Sequence, residues 1–481
     1  MKGITAYGIY VPYYRMKREV ILKAMGWFNP GIAGLAKGEK AVANYDEDSI
    51  TLAVAAGMDC FTDIDRENIH GLYLASTTYP NKERGNSSIA SGALNLSSNV
   101  RTADYSGCLK SGTTALISAL NEANSQTTMV CASDCRLGKA GGAQEQLLGD
   151  GAAAVVVGSD RVIASLIGHY SLSYDFADHR RSDSDKFIRS WEERWVREAG
   201  YFKMIPEVIN ALLTKCGLKM DEIDKVVYPP MAIRDHVAMT KTLDLESNKV
   251  QAHLLDTVGN TGSAHPLIML IGALEEARPG DRIMVVSYGS GCDALLFQVT
   301  EEIEKLKSRT KLKDNLDYKG ELDNYTKYLS FKGMLEKEIG IRGEEVAPTS
   351  LSLAWRERNA LLRLVGSRCK ACGTPQFPRE TVCINPDCGA VDEMEDYSFS
   401  DKTGHLFTFT ADHLTFSEDP PALYGIIDFE GGGRYWFDIT DCTLESLEVG
   451  QSVHMTFRRR YLDEARGLTG YFWKAMPFKS K

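Results

Sequence analysis

The sequence predicts an α/β protein in which a long sheet-and-helix region is followed by a small cysteine ribbon and a β-barrel. Three observations carry that prediction. From residue 1 to about 300, β-rich runs alternate with helical stretches, among them GLYLAST (71–77), MVCAS (129–133), AAAVVVG (152–158), KVVYPP (225–230) and RIMVVSYGSG (282–291), the pattern of a buried sheet with helix layers. Within that region LLGDGAAAVVVG (147–158) and VVSYGSGCDALLFQV (285–299) are both glycine-rich turns running into an apolar strand, one near the end of each half, which suggests a duplication. Further on, Cys369 and Cys372 are followed by Cys383 and Cys388.

The four-cysteine spacing suits a single Zn²⁺, which prefers a tetrahedron of soft sulfur ligands. Four ordinary buried cysteines or two disulfides are the alternative. Gly373, Pro375, Pro378, Pro386 and Gly389 supply the turns a ribbon needs, and they favour the metal. With every ligand position taken by protein sulfur, such a zinc is structural, because no open position is left for substrate or water. Beyond it, GHLFTFTADHL, ALYGIIDFEGGGRYWFDITD, SVHMTFRRRYLD and GLTGYFWKAMPF are β-rich runs separated by turn residues, as in a small barrel. Its aromatics Phe407, Phe409, Tyr435, Trp436 and Phe437 are expected in the barrel core rather than as stacking platforms.

At 481 residues and 43% hydrophobic composition the chain has room for about three domains with sizeable cores. The start, MKGITAYGIYVPYYRMKR, lacks a signal-peptide pattern, and no apolar stretch is long enough to span a bilayer. A cytoplasmic protein is expected. Cys60, Cys108, Cys131, Cys135, Cys216, Cys292 and Cys442 are scattered without a paired framework, so no structural disulfides are expected. A net charge of −10 disfavours general nucleic-acid binding, although FRRRY (457–461) is a small basic cluster. The segment from about 300 to 345 is strongly charged and reads as a surface helix with a connector.

Cys108 lies in ADYSGCLKSGTTALISAL, where residues 108–120 contain no Pro and read as a helix entered through Gly107. A thiol at a helix N-terminus is biased toward the thiolate and can act as a nucleophile; a buried small hydrophobe is the other reading.

Context decides between them. YDEDSITLAVAAGMDC (45–60), DYSGCLKSGTTAL (104–116), GDGAAAVVVG, YDFADHRRSD (174–183), GNTGSAHPL (259–267) and SYGSGCDALLF (287–297) occur in the order seen in 3-hydroxy-3-methylglutaryl-CoA synthases. The chain resembles the bacterial and archaeal members of that family over roughly residues 1–335, and also the initiating ketoacyl synthases of the same thiolase superfamily. The resemblance implies a five-layered αβαβα fold of two similar halves, acylation of Cys108 by an acyl-CoA, and a homodimer. Asn260 matches the family's active-site Asn, whose amide can donate to a thioester carbonyl. Backbone N–H groups of Cys108 and of the Gly289, Ser290, Gly291 turn are candidates to hold the CoA thioester and its oxyanion.

Two expected groups are missing. Thr77 stands where the family carries its general acid/base Glu, and Pro229 and Pro230 replace its active-site His. Neither residue type exchanges a proton at neutral pH. His265, five residues after Asn260, reads either as a group that supplies that chemistry or as a packed core histidine; Glu83 and His236 read as exposed, and Cys292 as core.

Residues 350–481 resemble the zinc-ribbon and OB-fold family that accompanies thiolase-superfamily enzymes, chiefly through WRERNALLRLVGSRCKACGTPQFPRETVC. The expected divisions are a thiolase-like catalytic domain at 1–335, a linker and helix at 336–366, the ribbon at 367–395 and the barrel at 396–481. The implied function is an acyltransferase that makes or breaks a carbon–carbon bond of acyl-CoA substrates through acyl-Cys108. The alternative, motivated by the missing Glu and His, is a partly catalytic scaffold that docks a separate thiolase.

Overall fold

The computed structural model describes residues 1–62, 64–306, 311–339 and 349–478, and the chain divides into two compact units. The first comprises Met1–Ala43, Asp48–Ser91 and Leu96–Tyr325, and the second Asn44–Glu47, Gly92–Asn95 and Thr326–Lys481. Residues 340–348, inside the expected linker, lie outside the described residues.

All five β-rich runs singled out in the first region are strands of one nine-stranded sheet. Its order is Lys225–Val227, Arg282–Tyr288, Gly291–Val299, Ala164–Ser173, Gly3–Tyr10, Gly151–Gly158, Thr128–Asp134, Gly71–Ala75 and Arg101–Tyr105. The middle join is slight: Gly3 pairs with Ser165 and Ile4 with Ala164. On either side the same design recurs. Gly3–Tyr10 runs antiparallel to Gly151–Gly158, which is antiparallel to Thr128–Asp134, which is parallel to Gly71–Ala75. Ala164–Ser173 likewise runs antiparallel to Gly291–Val299, that strand antiparallel to Arg282–Tyr288, and the last parallel to Lys225–Val227. Where Arg101–Tyr105 completes the first half, a single parallel bridge from Val226 to Val250 stands in the second. The two glycine-turn strands read as a repeat therefore occupy equivalent places.

Side-chain alternation on these strands sets the layers. Ala153, Val155, Val157, Val130 and Ala132 from the first half share a core with Ile283, Val285, Leu295 and Phe297 from the second. Ala115, Leu116 and Ala119 of the helix Ser111–Glu122 and Leu267, Ile268 and Ile271 of the helix His265–Glu276 fill that core. The opposite faces are covered by Ser49–Cys60 on the first half and by Phe202–Cys216 on the second, where Val208, Ile209 and Leu212 meet Met284, Val286 and Leu296. Helix, half-sheet, paired helices, half-sheet, helix: this is the five-layered αβαβα arrangement.

Both middle helices need small residues at their starts. A Cβ at Gly112 would collide with the carbonyl oxygen of Ser263, so glycine permits the close crossing. The outer helix Ser49–Cys60 begins on a capping box, with the Asp48 carboxylate accepting from Ile50 and Thr51 at 2.9 and 3.0 Å.

The charged segment after residue 300 is not one surface helix. It breaks into a 3₁₀ turn at Glu301–Lys305, a short helix at Leu312–Asp317, a Gly320–Glu321 strand and a helix at Tyr325–Phe331. The Gly320–Glu321 pair hydrogen-bonds alongside Tyr14–Lys17, a sheet contact that charge pattern does not reveal.

In the second unit a three-stranded sheet of Pro375–Gln376, Val365–Cys369 and Met394–Ser398 carries the cysteine ribbon. Five strands then run in the order Arg434–Asp438, Ala422–Phe429, Gly404–Asp412, Ser452–Asp463, Leu468–Pro477, and a bridge from Ile439 to Ala475 brings the two edges together. Of the five barrel aromatics only Phe437 is core; Phe409 is half-buried, and Phe407, Tyr435 and Trp436 face solvent. On Arg434–Asp438 alternation puts Phe437 in and Trp436 out, while Tyr435 shares the Phe437 face and is exposed near the strand's start. The FRRRY motif is not an exposed basic patch either. Arg458 is buried against Asp46, Glu47 and Asp441, each of them also buried. Among the described residues no helix is long and apolar enough to cross a membrane.

Candidate active site

Cys108 is half-buried in a turn that follows the strand Arg101–Tyr105. The helix starts at Ser111, three residues after the cysteine, not at Cys108 itself. Gly107 holds φ +97°, a conformation that favours glycine, and Ser111 then closes the turn through its N–H at 3.2 Å and its hydroxyl at 2.6 Å, both donating to the Cys108 carbonyl. Ser111 Oγ lies 3.9 Å from the Cys108 sulfur. The thiol thus sits on the approach to the helix N-terminus.

The helix start is pinned from the second half of the fold. Asp293, buried in the strand Gly291–Val299, accepts from Lys110 Nζ at 3.1 Å, Thr113 Oγ1 at 3.0 Å and Thr114 Oγ1 at 2.8 Å. Just before that strand, Gly289 approaches Leu109 so closely that a Cβ would lie 2.9 Å from the Leu109 nitrogen. The glycine turn is therefore packed against the residue next to Cys108. Its Gly289 N–H is spent on the Gly291 carbonyl at 2.9 Å, which removes Gly289 as an oxyanion donor. The N–H groups of Cys108 and Ser290 have no acceptor among the described residues, and Ser290 holds φ +49°.

Asn260 lies in the corresponding loop ahead of the second middle helix. Its Oδ1 accepts from the buried Arg136 guanidinium and from the Gly262 N–H at 3.0 Å, which leaves Nδ2 as the donor of that side chain. Arg136 had no signal in the sequence reading. Neither had Asp134, the buried acid that ends the strand Thr128–Asp134. It accepts from Ser76, Thr77 and Thr78 with one oxygen and from the Ser263 N–H at 2.7 Å with the other.

The proposed substitutes for the missing Glu and His fare differently. His265 is fully buried; its Nδ1 meets the Thr261 N–H and hydroxyl at 3.3 and 3.2 Å, and its Nε2 lies 3.0 Å from the His253 carbonyl. Both ring nitrogens are occupied in the interior, and burial pushes its pKa down to about 4. The ring holds the Asn260 loop and has no free nitrogen for a substrate. Glu83 is exposed. His236 is buried rather than exposed, packed 4.9 Å from the Tyr228 ring, with burial lowering its pKa to about 4. Cys292 is core, and burial pushes its thiol well up. Pro229 and Pro230 occupy the loop after Lys225–Val227.

A different pair emerges from YDFADHRRSD. Asp178 is buried, accepts the His179 N–H at 2.7 Å, and lies 3.3 Å from His179 Nδ1. Tyr288 adjoins Asp178, and burial first, then that carboxylate, raises the phenol's pKa far above its usual value. Arg136, which orients Asn260, feels the same carboxylate. Tyr174 N–H donates to the Ser290 carbonyl at 3.3 Å, which sets this run beside the glycine turn.

In the second unit the four ribbon sulfurs lie within 4.8 Å of one another, with Cys369 to Cys388 at 3.8 Å and Cys372 to Cys383 at 3.5 Å. Zn–S bonds of about 2.3 Å in a tetrahedron require sulfur separations of about 3.8 Å, so one Zn²⁺ fits all four. Gly373 and Gly389, at φ +79° and +63°, make the turns after each cysteine pair, and the longer CINPDC spacing closes through the Cys388 N–H on the Asn385 carbonyl.

Comparison with known proteins agrees with this architecture. Residues 213–298 match the model of the 3-oxoacyl-[acyl-carrier-protein] synthase III C-terminal domain. Residues 360–395 match a rubredoxin-like zinc ribbon model and 398–458 a C-terminal OB-fold model, both of the ChsH2 type. Among solved structures, an HMG-CoA synthase complexed with CoA superimposes with a TM-score of 0.62 at 18% identity, covering 73% of this chain and 94% of that one. The 3-oxoacyl-[acyl-carrier-protein] synthase III of Aquifex aeolicus gives 0.53 at 21% identity, covering 62% of this chain and all of that one. The hydroxymethylglutaryl-CoA synthase of Methanobrevibacter smithii is 31% identical over 348 residues, 70% of this chain and 100% of the relative. That of Methanopyrus kandleri is 32% identical over 64% of this chain and 91% of the relative. The chain, with its ribbon and barrel appended, belongs to the hydroxymethylglutaryl-CoA synthase family.

Proposed function

We propose that the protein is an acyltransferase that forms or cleaves a carbon–carbon bond between acyl-CoA thioesters through an acyl-Cys108 intermediate. The observation that carries this reading is the fixed orientation of Asn260: Arg136 and Gly262 hold its Oδ1, so its Nδ2 is a donor, in the loop that mirrors the Cys108 turn. In the acylation step the Cys108 sulfur attacks a thioester carbon, the tetrahedral oxyanion takes N–H donors at Cys108 and Ser290, and the CoA thiol leaves with a proton. Asn260 polarises the carbonyl of the second thioester. The proton that the absent Glu and His would carry is assigned to His179, whose Nδ1 lies 3.3 Å from Asp178. Incubation with acyl-CoA donors and intact-mass measurement tests this: an acyl adduct is expected, and its persistence in Cys108→Ala, or its absence with every donor, rejects the reading.

The ribbon is read as a structural zinc site held by Cys369, Cys372, Cys383 and Cys388. Among the described residues the strand Arg101–Tyr105 pairs on one side only, with Gly71–Ala75, and we assign a second copy of the chain to that open edge. Light scattering on a chromatographed sample distinguishes a dimer from a monomer.

A further inference from the structure

We infer that the hairpin after Asp178 forms an oxyanion seat that recognises a charged group on the acyl thioester. The inference rests on the acyltransferase reading and adds a specificity site to it. His179–Arg180 and Arg189–Ser190 pair antiparallel, with Arg189 opposite Arg180, and the loop between them bounds an open cavity of about 490 Å³. Arg180, Arg181, Arg189, Ser182, Ser184 and Asp185 line it.

Charge in this cavity is unbalanced. Asp185 is satisfied locally: Arg189 pairs with it at 2.5 Å, and the Ser182 hydroxyl and N–H donate to it at 2.7 and 3.1 Å. Those bonds, led by the Ser182 hydroxyl, lower the Asp185 pKa to about 2 and keep it anionic. Asp183 is engaged by Lys82 at 3.3 Å. Arg180 and Arg181 meet no carboxylate among the described residues. Arg180 instead lies 5.3 Å over the Trp191 ring, which leaves the guanidinium edge available for in-plane donation. In a chain of net charge −10, two unpaired guanidinium groups facing one cavity mark a place for an anion. Their planar forks match a carboxylate or a phosphate.

The cavity wall is tied to the candidate site. Arg181 donates to the carbonyl of Thr77, and the N–H and hydroxyl of that same residue are held by Asp134. Arg181 therefore borders the strand end from which the family's Glu would project. An acyl-CoA brings two kinds of oxyanion to such a seat, the phosphates of its nucleotide tail and a carboxylate carried by the acyl group.

The double variant Arg180→Gln/Arg181→Gln tests the seat, with thermal unfolding to confirm that it is folded. Acylation of Cys108 is compared for acetyl-CoA, the acetyl thioester of N-acetylcysteamine, and a succinyl thioester of N-acetylcysteamine. Loss of at least ten-fold in the preference for acetyl-CoA over the truncated acetyl thioester assigns the seat to phosphate. A comparable loss confined to the succinyl thioester assigns it to an acyl carboxylate. Preferences within two-fold of the wild type in both comparisons overturn the inference. If no donor acylates Cys108, the acyltransferase reading fails separately; calorimetric affinities for CoA and for succinate then decide the seat, and values equal in wild type and variant, or no binding to the wild type, overturn it.

Discussion

Thr77 donates both its N–H and its hydroxyl to the same oxygen of Asp134, at 2.7 and 2.9 Å. Thr77 is thus bonded to a buried carboxylate, whose second oxygen holds the Ser263 N–H at 2.7 Å, in the Asn260 loop. Asp134 stitches the two halves together where their middle helices begin. Asp134→Asn turns an acceptor into a donor facing these N–H groups, so a loss of about 2–4 kcal/mol in urea unfolding is expected, with at least ten-fold slower Cys108 acylation. Unchanged values on both counts would remove Asp134 from the site.

Acid should destabilise the first unit through His265. Burial, its main cause, lowers the folded pKa to about 4 from an ordinary 6.5. Between those values the unfolded imidazole binds a proton that the folded one refuses, so stability is full above about pH 6.5 and falls toward pH 4. The loss amounts to roughly 3 kcal/mol. His236, lowered to about 4 also by burial, acts in the same direction. Denaturant titrations from pH 7.5 to 4 read the slope, and a flat profile is the contrary result.

The ribbon should hold one zinc per chain. Cys383→Ser places a weaker oxygen donor among three sulfurs, so elemental analysis is expected to find the metal lost. Because metal binding supplies the folding free energy of such small sites, a strong chelator should make the ribbon protease-sensitive. Full zinc content in the variant contradicts the assignment.

Arg458 faces Asp46, Glu47 and Asp441 in the interior of the second unit. Removing the guanidinium leaves carboxylates uncompensated there, although Lys474 still reaches Asp46 at 3.0 Å. Arg458→Met should cost about 3–5 kcal/mol, and added salt should not reproduce the loss, because buried pairs escape screening. A change below about 1 kcal/mol would mean that the cluster is solvated.

How far each of these features could be read from the sequence depends on separation along the chain. The glycine-turn strands, the cysteine quartet and Asn260 carry local signatures, since a turn or a metal knuckle is encoded within a dozen residues. The Arg458 cluster is not local: its acids come from 46 and 47 on one side and 441 on the other, and FRRRY alone looks like surface. Asp134 and Arg136 gain meaning only when Ser76, Thr77 and Asn260 arrive beside them. His265 misled for the opposite reason, because proximity to Asn260 in sequence suggested a pocket group while its ring turns inward to His253. Among the outward aromatics, Trp436 lies opposite Phe437 by alternation, but Tyr435 shares the Phe437 face and is exposed by its place near the strand's start, which periodicity does not reveal.

Proton transfer is the step for which the proposed reaction needs a group of its own, and His179 makes the assignment testable. Asp178 is buried and lies 3.3 Å from His179 Nδ1, with Tyr288 beside it, so the two carry an acid and a base side by side in the run next to the glycine turn. If His179 moves the proton in carbon–carbon bond formation, His179→Gln leaves the Cys108 acyl adduct forming while condensed product falls by about 10²-fold or more, the range a positioned acid–base group supplies. Asp178→Asn should give a smaller loss and a shifted pH–rate profile, because it perturbs the imidazole without removing it. Equal losses of acylation and condensation would mark the pair as structural, since a group that acts only in condensation leaves acylation intact.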